Sequence, residues 1–181
     1  MKRSVCLAMV IILLLTSCSA HDGMIFDPYH GKLDDLFSGI TTAINDQDAT
    51  ALKTLFADSV LQQDADFDEN LEVLLGFIQG RIISYEVKGH SGEKSADNGE
   101  RVAREQSWYV VKTEQESYIF IIIACLEDTT NPDNVGVETL RVLREADKDQ
   151  HFASWEDVEL PGIYVGCVSD SDENAENDSL P

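Results

Sequence analysis

The sequence predicts an α+β fold in which three N-terminal helices precede a meander of antiparallel strands. Between Lys32 and Gly80 the apolar residues recur every three or four positions, which is typical of helices with one buried face. After Gly80 the pattern changes to alternation and to runs rich in β-branched and aromatic residues, which is typical of strands. Because the helical segments precede the strands and do not alternate with them, separate helical and sheet layers are expected.

Each of the three N-terminal segments carries an apolar stripe with helical spacing. The first stripe runs from Leu33 to Ile44 and ends at a polar break. Asp48 follows that break and is predicted to cap a second helix, whose apolar face holds Ala51, Leu52, Leu55 and Phe56. Asp68 is predicted to cap a third helix with a stripe at Leu71, Leu74, Leu75 and Ile78, and Gly80 is a stop signal for it.

Four to five strands are predicted after these helices. The first alternates at Ile83, Tyr85 and Val87, and residues 90–99 are expected to form a polar turn. The others are 101–113, 118–126, 135–145 and a short edge strand at 161–165. The 118–126 segment is apolar on both faces, which predicts a central strand. The 135–145 segment is compatible with a helix too, but its β-branched opening favours a strand.

The charge balance excludes several functions. The chain of 181 residues has 34 Asp and Glu against 13 Lys and Arg, a formal net charge of -21. Nucleic-acid binding requires clustered cations that neutralise phosphates, and no segment supplies them. Anionic lipid repels such a surface, so attachment to a membrane cannot rest on a polybasic patch. Residues 166–181 are acidic and lack cations, which predicts a disordered tail.

The N-terminal sequence predicts that the protein is located in the cell envelope. Lys2 and Arg3 precede an apolar run that ends at Leu15, and this run is too short to span a ~30 Å hydrocarbon core. The following Leu15-Thr16-Ser17-Cys18 resembles the lipobox of bacterial lipoproteins. The resemblance implies that residues 1–17 are a lipoprotein signal peptide and that Cys18 receives a diacylglyceryl group and palmitate. Residues 18–31 would then be a tether, and the protein would be extracytoplasmic and anchored to the cell membrane.

The element order also resembles a known fold family. Three helices followed by long strands are similar to the nuclear-transport-factor-2-like, or ketosteroid-isomerase-like, cone fold. Trp155-Glu156-Asp157 and Pro161-Gly162-Ile163-Tyr164 resemble a C-terminal pattern of Gram-positive lipoproteins of unknown function in that superfamily. The resemblance covers residues 32–165 and implies one cone-like α+β domain with a curved antiparallel sheet. It carries over no catalytic residue, because one fold hosts unrelated activities.

Candidate pocket residues come from the predicted strands. The aromatic and charged side chains there could form a ligand pocket or belong to an ordinary core. The pocket hypothesis names Tyr85, Arg104, Glu105, Trp108, Tyr109, Tyr118 and Arg141. In an enzyme of this fold, a pocket carboxylate would transfer a proton with tyrosines as donors. Glu105 fits that role better than Glu86, because it shares a predicted face with Tyr109 and Glu86 faces water.

No metal or cofactor site is predicted. The 64–68 segment, with Asp64, Asp66 and Asp68, lacks the Gly and the bidentate acid that a calcium-binding EF-hand loop needs at its sixth and twelfth positions. The four histidines show no ligand spacing. Cys125 and Cys167 could pair in an exported protein, but the apolar strand around Cys125 favours a buried free thiol.

We therefore expect a lipid-anchored envelope protein that is not an enzyme and binds a small ligand or an envelope protein partner. The alternatives are a small cone-fold isomerase or dehydratase and an immunity-type protein that binds a basic partner. The apolar outer face of the 118–126 strand requires cover, and a homodimer partner or residues 152–165 could supply it.

Overall fold

The computed structural model describes residues 28–148 and 161–166, and it is an α+β structure with one curved five-stranded sheet. Within these described residues the α-helices precede the sheet, and they are α1 (Pro28–Asp46), α2 (Ala49–Lys53), α3 (Asp58–Gln63) and α4 (Phe67–Phe77). The strands are β1 (Ile82–Asp97), β2 (Glu100–Thr113), β3 (Ser117–Asp128), β4 (Gly136–Arg144) and β5 (Gly162–Val165). None of the described helices is long and apolar enough to cross a membrane.

The prediction of three helices and an antiparallel sheet is correct only in outline. A fourth helix, α3, has six residues, too few to show an apolar period in the sequence. The sheet order is β1-β2-β3-β4-β5, and β5 pairs parallel to β4, so the sheet is mixed. Parallel pairing needs a connection of about a dozen residues or more. The seventeen residues between these two strands provide that length.

The turn predicted at 90–99 is wrong. The first strand continues to Asp97 and pairs with β2 along its whole length. Only Asn98 and Gly99 connect the two strands, and both have positive φ angles, of 49° and 92°. Two consecutive residues with positive φ form the tight hairpin turn that matches the twist of paired strands. The polar composition that suggested a loop reflects an exposed edge strand.

A β-bulge decides which residues of β1 face the helices. The register with β2 shifts between Val87 and Gly89. Val87 before the bulge and His90 after it both lie opposite buried residues of β2, Tyr109 and Ser107. In a regular strand, alternation would place residue 89 on that side and turn residue 90 away. The bulge therefore brings His90, Gly92 and Lys94 to the helix side of the sheet.

The core lies between the helices and this side of the sheet. The predicted stripe of α1 is buried there, together with the inward residues of β2, β3 and β4. Asn45, near the end of α1, links the helix layer to β1 through two hydrogen bonds. Its side-chain oxygen accepts a hydrogen bond from Ile82 N at 2.8 Å, and its amide donates to Ile82 O at 3.1 Å. Asp48 caps α2 as predicted, by accepting a hydrogen bond from Ala51 N.

The opposite face of the sheet holds a second, smaller apolar cluster. Ile119, Ile121 and Leu143 are buried there, and Trp108 packs against them. Residues 152–165 are one of the two predicted covers of this face. Their β5 part lies beside β4 in the sheet and does not lie over the cluster. Residues 152–160, the signal peptide, Cys18 and most of the acidic tail lie outside the described residues. The homodimer therefore stays a prediction.

Candidate functional site

The seven predicted pocket residues lie on two different faces of the sheet. Alternation along each strand places four on the helix side, Tyr85, Glu105, Tyr109 and Tyr118. Arg104, Trp108 and Arg141 lie on the opposite side, next to the smaller apolar cluster. Arg104 pairs with Glu138 there, with 2.6 Å between Nε and Oε2. These three residues therefore do not supply a polar end to a pocket on the helix side.

Two of the helix-side tyrosines, Tyr109 and Tyr118, are structural members of the core, whereas Tyr85 is 42% exposed. Tyr109 is fully buried and stacks on Phe37, with 3.6 Å between ring centroids. Burial raises the pKa of its phenol to about 12, and the nearby charge of Asp34 adds to this effect. The Tyr118 hydroxyl accepts a hydrogen bond from Gln79 N at 2.8 Å, which fixes the chain after α4.

Glu105 is a buried side chain held between His90 and Lys94 of β1. Its side chain is 1% exposed, and Oε2 lies 2.8 Å from His90 Nε2. Oε1 lies 3.2 Å from Lys94 Nζ, as an ion pair whose angles are not those of a hydrogen bond. Gly92 lies directly opposite Glu105, and a Cβ atom there would stand 2.2 Å from Oε2. Because glycine has no side chain, Gly92 leaves the space that the Glu105 carboxylate occupies.

The partners of Glu105 are themselves held in position. His90 Nδ1 lies 3.2 Å from the hydroxyl of Ser107, which in turn donates to Gly89 O. The ammonium of Lys94 lies 5.0 Å from the centre of the Tyr29 ring, in the first turn of α1. A general base must have a free oxygen for its substrate. Each oxygen of Glu105 lies within 3.2 Å of an ion-pair partner and the side chain is 1% exposed, so this cluster is better suited to a structural role than to proton transfer.

A cleft of about 330 Å³ lies at the other end of the sheet, between α3, the start of α4 and β5. Its volume falls within the ~300–1,000 Å³ typical of small-molecule sites. The apolar part of the wall comes from Val60, Ala65, Pro161 and Ile163. The polar part comes from Gln63, Asp64, Asn70 and Tyr164. Such a mixed lining can bury an apolar ligand body and orient a polar group.

Asp64 is the charged group of the cleft. It follows the last residue of α3, and its Oδ1 accepts a hydrogen bond from Asp66 N at 3.0 Å. Its Oδ2 would stand 2.9 Å from a Cβ atom on Gly162, which has a φ of +136°. Within residues 28–148 and 161–166, no donor binds this second oxygen. Glycine at position 162 therefore permits both the backbone conformation and the approach of the carboxylate.

Tyr164 faces the same cleft from β5. Its hydroxyl donates to Pro161 O at 3.4 Å, which leaves the ring as part of the wall. Burial, and then the negative charge of Asp64, raise the pKa of this phenol. A Cβ atom on Gly162 would stand 2.9 Å from Asp64 Oδ2 and 3.8 Å from Tyr164 Cε2, so the ring and the carboxylate are close enough to contact one ligand.

The sequence draws attention to Asp64 only through a segment that fails the requirements of a calcium-binding loop. It draws attention to Tyr164 only as part of the C-terminal pattern that resembles Gram-positive lipoproteins. No local pattern joins them, because α3 and β5 are about a hundred residues apart in the chain. In the part of the chain that the structure describes, no group of three or more His, Cys, Asp or Glu could hold a metal ion. Cys125 is a buried free thiol, and burial raises its pKa, so it is a poor nucleophile.

Comparison with known proteins gives a family without an assigned activity. The profile described as Domain of unknown function (DUF5104) matches residues 39–145. This range extends from the middle of α1 to the end of β4 and includes Glu105 and its partners. No curated protein matches the sequence.

Proposed function

The chain belongs to the DUF5104 family, and we propose that it is a lipid-anchored envelope protein whose domain binds a small ligand in the α3–β5 cleft. The cleft itself carries this proposal, since it combines an apolar wall with a carboxylate that has an oxygen open to a ligand. We also propose that the domain is a nuclear-transport-factor-2-like cone, which the order of helices before a curved sheet supports.

The state of Glu105 favours binding without catalysis. A cone-fold isomerase or dehydratase needs a pocket carboxylate that can take a proton from its substrate. Here the inward carboxylate lies against His90 and Lys94, and Lys94 in turn lies over the ring of Tyr29 in α1. Removing it from these partners would leave a buried charge without compensation, which is costly. Glu105 is therefore not placed to act as the catalytic base of such an enzyme, and this favours a binding role for the domain.

A variant that fills the cleft tests ligand binding. Ala65→Trp places a large ring at the wall without removing a charge, whereas Gln62→Trp places the same ring on an exposed position of α3 outside the cleft. A chemically mixed set of small molecules would be screened by thermal shift and native mass spectrometry against the three proteins. We expect at least one compound to bind the wild type and Gln62→Trp but not Ala65→Trp. If no compound distinguishes Ala65→Trp from the other two, the proposal is wrong.

The lipid anchor supports a position at the membrane despite the acidic surface. Two or more acyl chains anchor a protein stably without help from cations. The domain begins at Pro28, ten residues beyond Cys18, so the tether holds it close to the bilayer. Cys18→Ala should release the protein from the membrane fraction of its host. Cys6→Ala, which changes a cysteine of the signal sequence, should leave it there. Full membrane association of Cys18→Ala would refute the anchor.

A further inference from the structure

We propose that the ligand of the α3–β5 cleft is a small organic amine, bound through its ammonium group at Asp64 and Tyr164. This inference rests on the proposed function and names the chemical class of its ligand. It follows from the charge of the surrounding chain, from the geometry of the two side chains and from the composition of the wall.

The α3–α4 segment that forms one wall of the cleft carries a single sign of charge. Residues 54–80, which contain α3 and α4, include six acids and no Lys or Arg. The β5 segment at 161–166 carries no charge. Of the two cations that flank this range, Lys53 and Arg81, the first is paired with Asp68. No Lys or Arg is among the described residues that line the cleft, so a cation is favoured there over an anion.

Asp64 and Tyr164 provide two complementary contacts for an ammonium group. Asp64 Oδ2 can accept a charge-assisted hydrogen bond, because the local turn uses only Oδ1. The ring of Tyr164 can bind the same cation through its π face, since its hydroxyl is directed to Pro161 O. Gln63 and Asn70 add amide oxygens at the polar side of the wall.

The rest of the wall distinguishes an organic cation from a metal ion. Calcium takes about six to eight oxygen ligands, and magnesium requires a near-ideal octahedron. Asp64 is the one carboxylate among the described residues that line the cleft. Val60, Ala65 and Ile163 instead offer apolar surface that methylene groups can cover. A short alkyl chain that ends in an ammonium group satisfies both parts of the wall.

Three five-carbon probes of equal length test the charge that the cleft selects. Cadaverine is a dication, 1,5-pentanediol is neutral and glutarate is a dianion. Isothermal titration calorimetry would be done with the full-length lipidated protein in a neutral detergent. We expect cadaverine to bind at least about tenfold more tightly than 1,5-pentanediol, and glutarate to show no binding. Raising the salt concentration should weaken cadaverine binding.

Asp64→Asn identifies the group responsible. Asparagine keeps the oxygen that accepts from Asp66 N, so the turn is retained while the charge is removed. We expect cadaverine affinity to fall about tenfold to a hundredfold, the loss typical of one charge-assisted hydrogen bond. Asp58→Asn removes the same charge from an exposed position of α3 that does not line the cleft. That control should change affinity less than about threefold.

The outcomes separate this inference from the proposed function. Equal cadaverine affinity in Asp64→Asn and Asp58→Asn would overturn the inference. The inference would also be overturned if 1,5-pentanediol or glutarate bound at least as tightly as cadaverine and this binding was lost in Ala65→Trp. In that second case the proposed function would stand. If Ala65→Trp changes the binding of no compound, both are wrong.

Discussion

Gly92→Ala should destabilise the domain although alanine is small and Gly92 lies on an exposed strand. The new Cβ atom would stand 2.2 Å from Glu105 Oε2, 2.5 Å from Cδ and 2.7 Å from Oε1. Ordinary contacts require about 3.4 Å or more, so the carboxylate must move by more than an ångström. The contacts with His90 at 2.8 Å and with Lys94 at 3.2 Å cannot both survive that movement.

The size of the effect follows from the burial of Glu105. Hydrogen bonds to charged groups are worth about 1.5–3 kcal/mol, and a fully buried pair that loses one partner costs about 3–5 kcal/mol. His90 and Lys94 are 28% and 43% exposed and can be hydrated, so the lower range applies. Alanine recovers about 0.5 kcal/mol of backbone entropy relative to glycine. We expect a net loss of about 2 kcal/mol in the free energy of unfolding, or roughly 5–10 °C in Tm.

A double-mutant cycle measured by urea unfolding and circular dichroism assigns the loss to the carboxylate. In a Glu105→Ala background, Gly92→Ala should cost less than about 0.5 kcal/mol, which gives a coupling near 2 kcal/mol. Gly89→Ala is the matched control on the same strand, because its Cβ would lie at an ordinary 3.9 Å from Trp108. If Gly92→Ala costs the same with and without Glu105, or no more than Gly89→Ala, the reasoning is refuted.

Three further predictions follow from the fold. The pKa of Tyr109 is raised from 10.0 to about 12, so the phenol's contribution to stability is complete below pH 10 and is lost as the pH rises towards 12. In Tyr109→Phe, a phenolate absorbance titration should lack the last phenol to ionise. The loss of stability at alkaline pH should be smaller in this variant. Gly136→Ala should cost more than about 3 kcal/mol, because φ is +139° and the Cβ would stand 2.6 Å from Ala57 N; urea unfolding measures it. Asn45→Ala should cost about 1–3 kcal/mol and speed amide exchange at Ile82, whose backbone it binds, and unchanged exchange would contradict this.

The sequence predicted the parts of the fold that depend on local pattern. The apolar stripes of α1 and α4 are long enough to show a helical period, and the buried 118–126 segment is the middle strand β3. The predicted face of the second helix extends past its end, since Leu55 and Phe56 lie beyond Lys53. Even here, Asp68 is not the cap of α4. The helix begins at Phe67 with Asp66 in the cap position, two residues earlier than a cap at Asp68 predicts, and Asp68 pairs with Lys53. The cap was misplaced because several acids lie close together, and each of them satisfies the pattern.

Bulges are the main reason that the faces of β1 could not be predicted. The expected buried face began at Ile83, but that residue is 63% exposed and Ile82 is buried in its place. The register shifts at this point and again after Val87, and each shift exchanges the two faces. Neither the composition nor the hydrophobic periodicity of a strand indicates where a bulge lies. The polar composition of 90–99 separately predicts a turn there, whereas His90 lies in β1 and contacts Glu105, the inward carboxylate that the sequence predicts.

The two polar sites have separate tasks because they lie at opposite ends of one sheet. Glu105 belongs to the β1–β2 end, and the cleft is bounded by β5, three strand spacings or about 14 Å from β2. Substitutions separated by more than about 7–10 Å without shared partners are additive in their effects. Gly92→Ala should therefore lower stability and leave cadaverine affinity unchanged at temperatures where the protein is folded. Asp64→Asn should lower that affinity and leave unfolding nearly unchanged, because the turn keeps its acceptor. A loss of affinity in folded Gly92→Ala would mean that Glu105 takes part in binding, and the division between a structural and a binding end would be wrong.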